Sequence, residues 1–261
     1  MKNWVWPLLV VLIVVGVGGF AYYVNLQKQA ATPPAAAAPA PKPAPEAETH
    51  YPIEAATPAP AKPLPALDQS DAEAQESLAD VFSQQTLTQL FQLKGLIRRI
   101  VATIDNLPRD KVAGRVLAVN PVPGHFAVAD QAGTRTLSTG NYSRYTPYVH
   151  VAQAVDAKQL VAVYVRLYPL FQQAYVELGY PKGYFNDRLV QVIDNLLAAP
   201  SPPLPLSLDQ PNVLFVYADP ELESLSAGQK MLIRMGPENA AVIKEKLRQI
   251  RVEVTASGLK R

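Results

Sequence analysis

The sequence predicts an α+β fold that is predominantly α-helical: a single globular domain with a small antiparallel β-sheet, preceded by a transmembrane helix and a disordered Pro/Ala stalk. Three observations carry this reading. Residues 4–24 run WVWPLLVVLIVVGVGGFAYYV without a charge. Residues 30–66 hold 11 of the 25 prolines and 14 alanines, with no apolar periodicity. From residue 67 onward apolar residues return at helical spacing, interrupted by strand-like alternation between 115 and 138.

As a helix, the charge-free run is about 31 Å long, which matches a hydrocarbon layer of ~30 Å. Trp4 and Trp6 stand at one end and Tyr22 and Tyr23 at the other, as interfacial aromatics do. A cleaved signal peptide has a shorter apolar core followed by small residues, whereas YYVNLQKQ follows here. Residues 1–29 are therefore expected to be an uncleaved membrane anchor. Lys2 precedes the span and Lys28 follows it, so the positive-inside rule favours a cytoplasmic N-terminus by one amino group. The linker, 30–66, cannot bury enough apolar surface to fold. As polyproline its 37 residues reach about 115 Å. His50 lies within it, and a lone histidine in such a stalk is expected to be inert. Residues 67–261 then form the domain, near neutral and long enough for one core.

Within the domain, Asp68 or Ser70 can cap a short helix ending near Phe82. A longer helix is expected over 86–105, with Leu87, Leu90, Phe91, Ile97, Val101 and Ile104 on one face. RVLAV (115–119) reads as a strand, and 125–138 as a hairpin turning at Gln131 to Gly133. A short helix around Pro147 leads to Asp156, which can cap the next, 157–178. Amphipathic helices follow at 185–198 and, after Pro237, with Ala240, Ile243, Leu247, Ile250 and Val254 inward. Between them NVLFVY (212–217) reads as a strand joining the hairpin. Asp219-Pro220-Glu221 opens a helix, and Ser226 with Gln229 forms a capping box for another that Gly236 stops.

The helix 157–178 is the centre of this pattern. Tyr164, Tyr168, Phe171 and Tyr175 make one aromatic stripe, and only Gln159, Arg166 and Gln173 interrupt the apolar remainder. Such a helix belongs in a core. Beyond it, Gly179 and Gly183 bracket a turn, and loops face water. Tyr180, Lys182 and Tyr184 in that turn offer two rings and a cation, and are the candidate contact surface; the alternative is that the rings simply staple the two helices together.

Chemistry-bearing patterns are scarce. With no cysteine, the chain has no disulfide, thiolate metal site or lipidated-cysteine anchor. A net charge of +2 gives no field suited to nucleic acid. No phosphate loop, nucleophile elbow or metal-ligand spacing occurs, so no catalytic, cofactor or metal residue is assigned. His125 and His150 read as structural. Asp187 and Asp194, seven residues apart on one helix, are about 10.5 Å apart along its axis, too far for the paired carboxylates of a retaining glycosidase, and read as a solvated face. Arg98-Arg99 reads as a pair near a helix's negative end. The basic residues Lys244, Lys246, Arg248, Arg251, Lys260 and Arg261 suit a helix C-terminus, with docking to an acidic partner or anionic lipid as the alternative.

The strings NYSRYTPYV (141–149), YVRLYPLFQQAYVELGYPKGYFNDRLVQVID (164–194) and YADPELESLSAGQKMLIRMGPENA (217–240), with the helix after them, resemble an uncharacterised proteobacterial family catalogued as a domain of unknown function. The resemblance covers roughly residues 77–252. It implies an inner-membrane anchor, a Pro/Ala stalk and a periplasmic domain, and carries no catalytic or ligand residues. The expected function is a membrane-tethered periplasmic protein-interaction module of the cell envelope, non-enzymatic, with an envelope protein as partner. A cell-wall glycan binder is the alternative, and an envelope enzyme using carboxylates a third. Exposed coplanar tyrosines would favour the glycan. Paired buried carboxylates in a cleft would favour the enzyme.

Overall fold

The computed structural model describes residues 50–53, 63–131 and 133–256. The expected membrane span, 4–24, and most of the linker lie outside the described residues. Among those described, no helix is long and apolar enough to cross a membrane.

Helices dominate, as the periodicity requires. After a 3-10 turn at Leu67–Gln69 come α1 (Asp71–Ala79), α2 (Gln84–Leu90) and α3 (Leu96–Asn106), then a second 3-10 turn at Gly114–Val116. The hairpin β1 (Val128–Gln131) and β2 (Thr134–Leu137) leads to α4 (Gly140–Ala154), α5 (Ala157–Glu177) and α6 (Phe185–Leu197). Two short strands, β3 (Leu208–Asp209) and β4 (Val216–Tyr217), precede α7 (Pro220–Glu223), α8 (Ala227–Arg234) and α9 (Pro237–Ala256).

Local signals place several of these boundaries. Asp156 accepts a hydrogen bond from the Gln159 N–H (2.8 Å) and starts α5. Asp219 does the same for Glu221 ahead of α7. The Ser226–Gln229 capping box forms reciprocally at α8. Gly236, at φ +88°, ends that helix, and Pro237 opens the next.

Three expectations are corrected. The helix foreseen over 86–105 is two helices, parted at residues 91–95. Gly95 adopts φ +65°, and the Asp71 carboxylate of α1 accepts from the N–H groups of Gly95 (2.8 Å) and Leu96 (3.0 Å). Those donors would otherwise be orphans at the start of α3. RVLAV is not a strand. It holds the second 3-10 turn and a single bridge, Val119 to Phe91. The 212–217 segment contributes only Val216 and Tyr217, which pair antiparallel with Leu208 and Asp209. That pair touches the hairpin through the Thr136–Ser207 bridge, so the strand joins the hairpin by way of β3 rather than directly. The sheets are accordingly two small two-stranded units.

Packing follows the apolar stripes. Helix α5 lies against α1, α3 and α9, and α9 also covers α4, α6 and α8. Leu87, Leu96, Ile97, Val101, Leu167, Leu170, Phe171, Tyr175 and Phe185 form the main core. Phe171 and Phe185 stack in parallel at 5.7 Å. Each fully buried side chain of this size contributes about 1.5–3 kcal/mol. Smaller cores sit under α8 and α9 (Val149, Val192, Leu196, Leu232) and beneath the strands (Leu137, Leu206, Leu208, Tyr217, Ile233).

Residues 50–53 rest on the domain. Ile53 is buried, and Tyr51 packs beside Val161, Val190 and Val254. His50, expected to be inert, directs Nδ1 at the Asp187 carboxylate (2.7 Å).

Candidate functional site

The tyrosine turn divides into an inner and an outer half. Gly179, at φ +118°, carries the chain off α5, and Gln172 then clamps the turn: its Nε2 donates to the Gly183 carbonyl (2.8 Å) and its Oε1 accepts from the Phe185 N–H (2.8 Å). Gly183 also lets the backbone approach Tyr175, since a Cβ there would stand 3.0 Å from that ring. Tyr180 folds inward. Its ring stacks on Tyr175 with centroids 4.5 Å apart and planes 16° from parallel. Its hydroxyl donates to Asp105 (3.3 Å) and accepts from Arg109 (3.2 Å). Asp105, only 1% exposed, is the knot of this region. Arg188 donates to its Oδ1 (3.0 Å) and to its backbone carbonyl (2.8 Å), and Arg109 to its Oδ2 (2.6 Å). One buried carboxylate thus ties α3, the turn and α6 together. Arg109 takes the loop after α3 to α8 as well, its carbonyl accepting from the Ala227 N–H (2.7 Å).

The outer half is Lys182, which is exposed, and Tyr184, which keeps 53% of its surface in water. The Tyr184 ring meets the His50 imidazole edge-to-face, with centroids 5.4 Å apart. Of the three candidate contact residues, Lys182 and Tyr184 therefore face solvent together, while Tyr180 belongs to the packing.

Behind the turn lies an apolar cavity of about 200 Å³, walled by five helices. Leu78 comes from α1, Ile97, Ile100 and Ile104 from α3, Leu160, Val163, Tyr164 and Leu167 from α5, Leu189 from α6, and Ile250 and Val254 from α9. Among the described residues that line it, only Tyr164 has a polar side-chain atom, a hydroxyl that donates to Asn186 Oδ1 (3.1 Å). Burial pushes that phenol well above its usual range, with Tyr168 and Asp187 adding to the effect. The lining offers no free hydrogen bond to water and no group poised for proton transfer. It suits an apolar guest: an apolar cavity of ~150 Å³ stays dry and admits a benzene ring. Sequence reading found the apolar faces of α5 but not the cavity, because a void depends on how five helices meet.

A larger cleft of about 550 Å³ lies where α4 turns into α5 beside α9. Two of its charged groups are already engaged: Asp156 caps α5, and Lys246 donates to the Val155 carbonyl (2.5 Å).

The remaining carboxylates and arginines have structural partners. Asp187 is not on a solvated face. Its Oδ1 accepts from the Tyr51 N–H (2.7 Å), and its Oδ2 faces His50. Asp194 takes both nitrogens of the Arg251 fork (2.6 and 3.0 Å). Arg98 and Arg99 lie at the start of α3 rather than at its negative end. Arg98 pairs with Asp68 and Glu177, and Arg99 donates to the carbonyls of Lys94, Arg115 and Leu117. Buried Glu73 pairs with Arg166. His125 and His150 are exposed. Among the described residues no group of three His, Asp or Glu could hold a metal ion.

Residues 96–251 match the model of a family described as "Protein of unknown function (DUF3014)". The match opens on the first residue of α3 and closes within α9, so it takes in the tyrosine turn, the Asp105 knot and most of the cavity wall. No curated protein and no solved structure matches the chain.

Proposed function

The chain belongs to the family described as protein of unknown function (DUF3014), and for this member we propose a membrane-tethered interaction module of the bacterial envelope, whose apolar cavity receives one bulky apolar side chain of a partner protein. The cavity is the observation that carries the reading. At about 200 Å³ it is smaller than the ~300–1,000 Å³ of pockets that take cofactors or drug-sized ligands, yet it is large enough for a ring or a branched aliphatic group. A single anchor in a dry pocket is how a few residues come to dominate a protein interface. The charge-free run 4–24 and the proline-rich linker support tethering at the inner membrane, with the domain on the periplasmic side. The glycan alternative needs coplanar exposed rings. At the turn Tyr184 stands outward alone, with Tyr180 stacked inside. The carboxylate alternative needs a free pair, whereas buried Asp105 and Glu73 are each held by arginine.

A photo-reactive residue in place of Leu160, a half-buried wall residue of the cavity, tests the reading in intact cells. It should capture one envelope protein, and a second substitution that fills the cavity, Val163→Phe, should abolish the capture without lowering the melting temperature. Equal capture from exposed Lys94 would refute it.

A further inference from the structure

We propose that the Asn186-Asp187 pair at the start of α6 is a binding site for an extended peptide, and that residues 50–53 of the chain's own linker occupy it. The inference does not depend on the cavity's occupant. Three bonds read the linker backbone and its histidine. Asp187 Oδ1 accepts from the Tyr51 N–H (2.7 Å), Asn186 Nδ2 donates to the Tyr51 carbonyl (2.8 Å), and Asp187 Oδ2 faces His50 Nδ1 (2.7 Å). One residue's N–H and C=O are thus both satisfied by side chains, as a neighbouring strand would satisfy them. The clamp is not a surface accident. Asn186 is fully buried, its Oδ1 is occupied by Tyr164, and the other acceptor for its Nδ2 is the Val254 carbonyl at a longer 3.4 Å. No buried side-chain polar atom among the described residues lacks a partner. Departure of the linker would take away the nearest acceptor of this buried amide.

Side chains add specificity. The Tyr51 side chain packs on the buried cluster of Val161, Val190 and Val254. Its side chain also meets the Arg251 guanidinium, whose pKa is raised first by its hydrogen bonds to Asp194. Two residues on, Ile53 is buried. Within residues 30–66, Tyr51 is the sole tyrosine, phenylalanine or tryptophan and Ile53 the sole isoleucine or valine. The ligand class is therefore an extended segment with a tyrosine-like ring, its backbone free to bond on both sides, and an aliphatic residue two places later. With the linker held there, the spacer before the first docked residue is the 20 residues 30–49, about 60 Å of polyproline instead of about 115 Å.

Hydrogen exchange on the full-length chain tests this. Peptides spanning 50–53 should exchange at least about tenfold more slowly than peptides from 33–46. Asp187→Ala should remove that protection while α3 keeps its own. Tyr51→Ala with Ile53→Ser, which alters only the linker, should do the same and guards against misfolding of the first variant. A fluorescent peptide of residues 46–57 should then bind the vacated linker variant saturably, and wild type far more weakly, because the tethered copy competes at an effective concentration of roughly millimolar. Exchange of 50–53 at the linker rate in wild type overturns the proposal. So does protection that survives Asp187→Ala, or absence of peptide binding to the linker variant at about 1 mM.

Discussion

Truncation of the two tyrosines that flank the Pro181-Lys182-Gly183 turn should have very different costs. Tyr180→Ala removes a half-buried ring. Full truncation of a buried aromatic costs about 3–5 kcal/mol, so half burial brings the packing part to about 2 kcal/mol. The parallel stack on Tyr175 at 4.5 Å adds about 0.5–1.5 kcal/mol, and the hydroxyl between Asp105 and Arg109 about 1 kcal/mol net. Asp105 is not orphaned, because Arg109 and Arg188 still bond it, and no further penalty is added. The total is about 3.5–4.5 kcal/mol. Tyr184→Ala loses one edge-on contact from a ring that is 53% exposed, worth about 0.5–1 kcal/mol. At about 2–4 °C per kcal/mol for a domain of this size, Tyr180→Ala should melt about 7–18 °C below wild type and Tyr184→Ala less than about 4 °C below. Thermal unfolding followed by near-ultraviolet circular dichroism reads both, and Tyr180→Phe isolates the hydroxyl. Coincident melting of the two alanine variants would refute the division of the turn into an inner and an outer half.

Further outcomes follow from the geometry. Gly236→Ala should cost about 2–6 kcal/mol by chemical denaturation, because φ is +88° and its Cβ would stand 2.6 Å from the Tyr142 ring, whereas Gly95→Ala, with open space around it, should cost only about 1–2 kcal/mol. Asp71→Ala should cost about 0.5–2 kcal/mol by the same measurement and raise exchange at Gly95 and Leu96, whose N–H groups it caps. The Tyr217 phenol is pushed up to about 12 by burial, against an ordinary value near 10. Its folded-state pKa is raised, so its contribution of about 2–3 kcal/mol is complete below pH ~10 and disappears as pH rises towards ~12. Denaturation between those pH values should show this loss, and Tyr217→Phe should diminish it.

How much of this was legible in the sequence depends on how far apart the partners stand. Asp156, Asp219 and the Ser226–Gln229 box act within three residues, and each lies where its local pattern puts it. The break before α3 escaped because the donors at Gly95 and Leu96 are capped by Asp71, about 24 residues earlier, on another helix. The basic run on α9 was read as serving its own dipole. Instead Lys244 donates to the Ala199 carbonyl (2.5 Å) after α6, and Lys246 to the Val155 carbonyl (2.5 Å) after α4. Cations do gather at helix C-termini here, but the helices are neighbours that no local window contains. The solvated reading of Asp187 failed in the same way, since its partners precede it by 136 and 137 residues. The stripe of α5 was legible because apolar periodicity reports burial directly. Even there Phe171 and Tyr175 are buried while Tyr164 and Tyr168 are partly so.

The position of α9 has a consequence for how the chain reaches its folded state. This helix follows every other described element, yet it is the shared wall of α4, α5, α6 and α8. A polypeptide emerging from its N-terminus presents α5, apolar on nearly every side, long before residues 237–256 exist to cover it. Nucleation must then await contacts of large sequence separation, which slows folding and prolongs the lifetime of sticky intermediates. Vectorial synthesis lengthens that interval, so a chain stopped at Gly236 would be an aggregation hazard rather than a smaller domain.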